Sequence, residues 1–332
     1  MTPSTSVPTV SSAAPAVFVG IDVSKDKLDI AGTDSPVVTT LSNDASGIAS
    51  LIASMRALAP AVIVIEATGG LERAALNALL EAGLPVALVN PNHVRHFAKG
   101  LGKLAKTDAV DARILAEFAR LASPRLAEKR SKHRDELEAL ITCRRQLLHV
   151  RTEQTNRRFS TLSSDARKAI DAVLKVLDKQ IDELDRKIKR LIESDDDFNS
   201  IDKLLRGVPG VGVVLSATLL AELMELGHVS RQEIGALAGV APYNCDSGRF
   251  KGKRSIRGGR ACVRCVLYMA SVAAMRCNPV IKAFAERLKA VGKLPKVVIT
   301  ACMRKLLTLL NAMIRDGLTW SELQVVKNLK NA

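Results

Sequence analysis

Residues 126–200 contain no glycine and no proline, so nothing in that stretch breaks a helix. Within it Ile170, Leu174, Leu177, Ile181, Leu184, Ile188 and Leu191 step alternately by four and three. That is a heptad seam sustained over three heptads. An earlier run, Arg134–Phe159, carries Leu137, Ile141 and Leu148 among a cluster of arginines. Separated by Ser160–Asp165, the two runs predict either an antiparallel helical hairpin or pairing with a second subunit. The long, narrow seam favours a dimerisation arm over 126–198. Whatever else the chain builds must therefore lie on either side of a helical connector.

Before the connector, short apolar runs alternate with helical patterns. Val17–Ile21 reads as a strand ending at Asp22, and after a turn Lys27–Ala31 alternates apolar and polar residues, which reads as a hairpin. Gly47–Leu58 is helical in pattern. Ala61–Ile65 is a wholly apolar strand ending in Glu66, and Thr68, Gly69 and Gly70 lead into a helix over Leu71–Ala82. Val86–Val89 is a further buried strand. Alternation of this kind predicts an α/β domain, 17–125, with a partly parallel sheet. In such sheets ligands gather at the carboxyl ends of the strands, where Asp22 and Glu66 stand. The segment KTDAVDARILAEFAR, 106–120, has Thr107 as N-cap and helical spacing from Ala109. Asp108 and Asp111 are three apart and project from one face of its first turns.

After the connector, Asp195–Asp197 reads as a linker into a third domain, 199–332. LLRGVPGVG, 204–212, is a glycine-rich turn between helical patterns, a helix-hairpin-helix-like element. The N–H groups at Gly207, Gly210 and Gly212, with the helix start at Val213, offer a place for a phosphate, against the plainer reading of a tight turn. The helical patterns at Val213–Leu226, Ser230–Ala238, Ala261–Arg276, Val280–Val291 and Pro295–Arg315 make this part mainly α. Between them lies APYNCDSGRFKGKRSIRGGR, 241–260. Here Asp246, Ser247 and Gly248 stand directly before Arg249, Lys251, Lys253, Arg254, Arg257 and Arg260, with no acid among them.

Composition sharpens the choice of partner. The 332 residues carry a formal charge of +15 and a pI near 9.8, with 47% hydrophobic residues. A globular chain that basic points to nucleic acid. Aromatics are 3%, so stacking platforms do not drive recognition. No apolar run approaches the ~20 residues that span a bilayer, and residues 1–16 read as a disordered tail rather than a signal peptide. Cys262 and Cys265 form a lone CxxC without a second pair at zinc spacing, which reads as helix packing in a reducing cytoplasm.

Asp22, Glu66, Asp108 and Asp111 are thus acids at the ends of separate elements. Nuclease folds of the RNase H type gather such acids around one or two Mg²⁺ ions, because hard cations take oxygen ligands. Each acid alone has a structural reading as a turn closer or a helix N-terminal charge; together they point to metal. Ser24 and Thr68, beside the strand acids, read as turn hydroxyls, and His93 and His96 as surface or substrate contacts. For a nucleophile the residues leave three options open: Ser247, Tyr243, or neither. Gly248 lets a phosphate approach Ser247 closely; Tyr243 lacks such a neighbour.

The motifs GIDVSK, EATGG, KTDAVDA, GVPGVG and AGVAPYNCDSG with its GKR continuation occur in this order. They resemble the IS110-family, or DEDD, transposases and the related Piv-type DNA invertases, from about Val17 to about Leu318. The resemblance implies a RuvC-like N-terminal domain, a coiled-coil connector and a C-terminal transposase domain. It implies that Asp22, Glu66, Asp108 and Asp111 hold Mg²⁺ or Mn²⁺, and that Ser247 forms a phosphoserine link to DNA. It further implies donor and target DNA as substrates, a structured bridge RNA as guide, and a dimer assembling to a tetramer in the bacterial cytoplasm. The competing expectation is a RuvC-like junction resolvase that uses the carboxylates with water as nucleophile; a non-catalytic scaffold is the third.

Overall fold

The computed structural model describes residues 16–103 and 108–331, with the backbone alone at residues 108, 109, 250, 251 and 326–331. Of the expected tail, all but Ala16 lies outside the described residues. The chain divides into two compact units, Met1–Lys129 and Arg130–Ala332.

The first unit runs β1 (Phe18–Val23), β2 (Lys27–Gly32), β3 (Val38–Ser42), α1 (Ala45–Leu58), β4 (Val62–Glu66), α2 (Arg73–Glu81), β5 (Val86–Val89), α3 (Pro91–Gly100) and α4 (Asp108–Ala122). Its five strands lie in the order β3-β2-β1-β4-β5. β1, β2 and β3 pair antiparallel, while β4 and β5 extend the sheet parallel to β1. Val19, Ile21, Ile63 and Ile65 are fully buried, in one cluster with Leu51 and Leu79 of α1 and α2. Val64 and Ala87 pack with Ile114, Leu115 and Ala119 of α4, so helices cover both faces. Gly20 sets how near α4 comes. A Cβ there would meet the Ala112 carbonyl oxygen at 2.2 Å and the Ala116 nitrogen at 2.3 Å.

Two elements here escaped the sequence reading. β3 is a half-exposed edge strand without apolar alternation. α3 begins with polar residues, yet Asn90 caps it and Pro91 opens it, a start signature legible in retrospect.

The second unit opens with two long helices, α5 (Lys132–Ser160) and α6 (Ser164–Glu193). They pack as an antiparallel hairpin, one of the two arrangements the heptads allowed. Arg144–Asp185 and Arg151–Asp178 pair at 2.5 Å, and Arg158 pairs with Asp171. Each pair lies seven residues from the last on both helices, so the ion pairs and the apolar seam share one heptad register. At its base Leu137, Ile141, Ile188 and Ile192 join Phe198, Ala217 and Leu220 in one cluster. The hairpin therefore shares a core with residues beyond 198, where the sequence suggested a divide. The linker expected at Asp195–Asp197 is instead a helix start: Asp195 caps α7 (Asp196–Arg206) by accepting from the Phe198 N–H at 3.1 Å. Acids that looked like a solvated break are there because a helix N-terminus stabilises them.

Next come α8 (Val213–Glu222), α9 (Arg231–Leu237), four two-residue strands, β6 (Pro242–Tyr243), β7 (Asp246–Ser247), β8 (Phe250–Lys251) and β9 (Ser255–Ile256), then α10 (Ala261–Cys277), α11 (Pro279–Ala290), α12 (Pro295–Asp316) and α13 (Trp320–Asn331). Their core gathers Leu215, Leu219, Val263, Leu267, Leu306 and Leu310. The sequence predicted this part mainly α, and the β6–β9 ladder and β7–β8 hairpin are its strand content. α12 is long and apolar enough to cross a membrane, but half of its most apolar window is buried inside the fold. Val298, Cys302, Met303 and Leu307 point into the core, so α12 is the central helix of this unit.

Candidate active-site residues

β1 and β4 run parallel with Ile21 opposite Ile65. One residue further sets Asp22 beside Glu66, both half-buried and on the same face. α4 covers that face, since Gly20 shares it with Asp22 and touches Ala112 and Ala116. Glu66 and Asp111, the latter on the first turn of α4, line one small cavity of about 140 Å³. The backbone places Asp108 one turn ahead of Asp111; its side chain, and Thr107, lie outside what is described. Among the described residues no three of His, Cys, Asp or Glu stand close enough to share a metal ion. The fold thus draws Asp22, Glu66 and Asp111 to one end of the sheet without closing a three-ligand shell.

Three groups around these acids were not singled out from sequence. Asp29 lies directly opposite Asp22 in the β1–β2 register; it is buried and accepts from the Thr40 hydroxyl at 2.5 Å. The apolar–polar alternation of Lys27–Ala31 did not set it apart. Glu72 is also buried, and its Oε2 accepts from the Thr68 N–H (3.1 Å), the Thr68 hydroxyl (3.0 Å) and the Gly70 N–H (2.8 Å). Burial alone raises its pKa, but these bonds outweigh burial and hold it below the usual glutamate value. Glu72 clamps the loop that follows Glu66, and Thr68 is a turn hydroxyl. Ser24 is one too, its hydroxyl bonded to Lys27. Last, Arg95, Lys99 and Lys103 line the cavity of Glu66 and Asp111. They stand on α3 and just past it, where His93 and His96 are exposed.

In the second unit Ser247 sits on the β7–β8 hairpin, opposite Phe250. Gly248 and Arg249 make its two-residue turn. Gly248 has φ of +54° and open space where a Cβ would be. A positive φ at the first central residue alone is the II′ pattern, where glycine is favoured. The Asp246 carboxylate accepts from the Gly252 N–H at 3.1 Å, so it braces the hairpin. A Cβ at Gly252 would meet the Cys245 carbonyl at 2.1 Å, which explains that glycine. Ser247 and Gly248 are exposed. Tyr243 lies apart on the β6–β9 ladder with the Arg257 guanidinium 5.2 Å from its ring centre.

A family model of IS110-type DEDD transposases matches residues 19–164, and one described as transposase, IS116/IS110/IS902 family, matches 202–286. A pilin gene-inverting protein of Moraxella bovis is 30% identical over 314 residues, covering 90% of this chain and 96% of that protein. The transposase for insertion sequence element IS1111A of Coxiella burnetii is 24% identical, over 70% of each chain. This chain belongs to the IS110 family of transposases. Among solved structures, T. thermophilus RuvC bound to a Holliday junction substrate aligns with 33% of this transposase and 99% of its own chain, at 17% identity and a TM-score of 0.26.

In this transposase the remaining predicted residues divide by what they touch. Arg260 gives two bonds of 2.8 Å to the Glu225 carboxylate, a structural pairing beneath the loop. Gly210, φ +97°, lies where a Cβ would meet the Ala274 backbone at 2.6 Å, so it lets the turn pack on α10. Gly207 closes α7, and exposed Gly212 begins α8 without a side-chain cap. Arg249, Lys253, Arg254 and Arg257 are exposed; the Lys251 side chain is not among those described. Cys262 and Cys265 sit on the first turns of α10; Cys262 packs partly against the core, whereas Cys265 is exposed. Carboxylates on rigid strands are the donor set a hard divalent cation takes, and Asp22 beside Glu66, with Asp111 sharing Glu66's cavity, fits such an ion.

Proposed function

We propose that this transposase cuts and rejoins DNA through a phosphoserine formed on Ser247, with Asp22, Glu66, Asp108 and Asp111 holding a divalent cation, Mg²⁺ or Mn²⁺. The observation that carries the reading is the strand register that sets Asp22 beside Glu66 at the carboxyl ends of parallel strands. A bound cation would supply positive charge against the phosphodiester being broken. The chain's own residues do the rest. Ser247 Oγ attacks phosphorus, an oxygen–phosphorus bond forms, and one DNA oxygen leaves as a hydroxyl carrying the proton. A hydroxyl of a second DNA end then attacks the phosphoserine and returns the proton to Ser247. One phosphodiester is exchanged for another, so no ATP enters. Arg95, Lys99 and Lys103 would hold the strand near the carboxylates, and Arg249, Lys253 and Arg257 near the serine. Gly212 leaves the first N–H groups of α8 open to a phosphate, as a helix-hairpin-helix would.

The same reading includes a structured bridge RNA, supported by family membership and by a charge of +15 that suits a second nucleic acid, and a dimer built through the α5–α6 hairpin that assembles to a tetramer in the bacterial cytoplasm. The test is incubation with Mg²⁺, a plasmid bearing the element's ends and a transcript of its flanking non-coding sequence, followed by denaturing electrophoresis. A protein–DNA adduct absent in Ser247→Ala supports the reading. An adduct lost in Tyr243→Phe but kept in Ser247→Ala moves the nucleophile, and strand cleavage with no adduct makes water the nucleophile.

A further inference from the structure

One large cavity of the second unit lies away from the serine hairpin. It is an open groove of about 960 Å³ between α9, α11, α12 and the β6–β9 ladder. That volume sits at the top of the range for ligand pockets, roughly 300–1,000 Å³. Arg231, Arg254, Lys296, Arg304 and Lys305 line it, and among the described residues no carboxylate does. Its floor is apolar: Val240 and Leu309 are buried there, beside Ile256. Phe284 stands in the wall, its ring centre 4.4 Å from the Lys305 ammonium.

These two halves ask for different parts of one ligand. The cations repel each other and want an anion. Lys305 is partly buried, and that burial first, then the Arg287 guanidinium, holds its pKa below the usual lysine value. The floor wants an apolar or aromatic face. A phosphate ion would satisfy the rim and leave the floor wet. A duplex would offer phosphates but keep its bases stacked inside. A single strand offers both a spaced row of phosphates and unstacked bases.

We propose that this groove seats a single nucleic-acid strand, its phosphates on Arg254, Arg304 and Lys305 and a base against Phe284. The proposal rests on the chain acting on nucleic acid, but on neither Ser247 nor the carboxylates being catalytic. The seat adjoins β6 and β9, which flank the hairpin bearing Ser247, so a strand held there lies in the same unit as the serine.

The test is fluorescence anisotropy of the full chain with a fluorescein-labelled dT₂₀ oligonucleotide in EDTA, over a range of NaCl. Arg254→Ala/Arg304→Ala/Lys305→Ala is expected to bind at least about tenfold more weakly. Its log–log salt slope should be shallower by about 2, since each single-strand phosphate contact contributes roughly 0.7. Phe284→Leu should weaken dT₂₀ by about fivefold or more while leaving a 20-base-pair duplex unchanged. Wild-type affinity and slope in the triple variant would overturn the seat, as would equal losses for duplex and single strand in Phe284→Leu. Should the triple variant fail to fold, photocrosslinking of a 5-iodouracil oligonucleotide to the unaltered protein decides. Crosslinks within residues 280–309 support the seat, and crosslinks only elsewhere refute it. Repeating the titration with U₂₀ assigns DNA or RNA as the source of the strand. Binding of dT₂₀ in EDTA is read without the covalent step, so loss of the adduct and loss of this seat are separate results.

Discussion

Asp22 and Glu66 stand on neighbouring strands whose other residues are largely buried, under a helix that approaches to backbone contact at Gly20. Ser247 stands on a two-residue strand that is exposed, in a hairpin braced by one carboxylate–backbone bond. The first set can hardly move without unfolding its unit. The second can adapt to a substrate at small cost, because few buried contacts oppose its motion. The contrast suits the chemistry proposed for them. Metal ligands must be held against mutual repulsion, whereas a nucleophile that becomes covalently joined to a strand must follow that strand.

The largest effect that can break this contrast is at Gly20. Gly20→Ala puts a methyl group against the backbone of Ala112 and Ala116, which belong to α4 and have no side-chain freedom to yield. Overpacking of this kind costs about 3 kcal/mol or more. Thermal unfolding should show the first unit melting far earlier. If the melting temperature is unchanged, α4 is loosely held and the rigidity argued for the carboxylates is wrong.

Legibility in the sequence divides along the same line. The sheet could be read because AVIVI and its companions are uninterrupted apolar runs, and Asp22 and Glu66 because they end such runs. Asp29 and Glu72 could not, since their burial depends on which strand lies opposite and how a loop folds back. Arg95, Lys99 and Lys103 looked like any surface cations until α3 placed them around the Glu66 cavity. In the second unit the heptads declared two helices. The arrangement of the pair rested on three Arg–Asp matches that appear only when the helices are laid antiparallel. The strands beside Ser247 are two residues long, too short for any periodicity; glycine contacts such as Gly252 on Cys245 shape them instead.

Glu72 gives the next largest effect and carries a pH signature. Glu72→Ala leaves the N–H groups of Thr68 and Gly70 without their acceptor, a loss of about 1–3 kcal/mol. The folded pKa of Glu72 lies below its unfolded value of about 4.3. Its contribution is therefore complete above that unfolded value and disappears as pH falls through the depressed folded one. Chemical denaturation at pH 7 and at pH 3 should show the gap between wild type and Glu72→Ala narrowing at the lower pH. A gap that stays constant would mean that the charge of Glu72 does not hold the loop after Glu66.

Gly248 offers the smallest stability effect and the sharpest comparison. Its φ of +54° is left-handed, and there is open space where a side chain would stand. Gly248→Ala therefore meets no neighbour and costs only the conformational penalty, roughly 1–2 kcal/mol. Part of this is relieved if the exposed turn relaxes. Any such relaxation moves Ser247, the residue before it. On the proposed mechanism, Gly248→Ala should melt close to wild type yet form the covalent adduct at least about tenfold more slowly. A small misplacement of a reacting group can cost a hundredfold without touching stability. Adduct formation at the wild-type rate would show that the turn does not aim the serine, and a large drop in melting temperature would show that the hairpin is as rigid as the sheet.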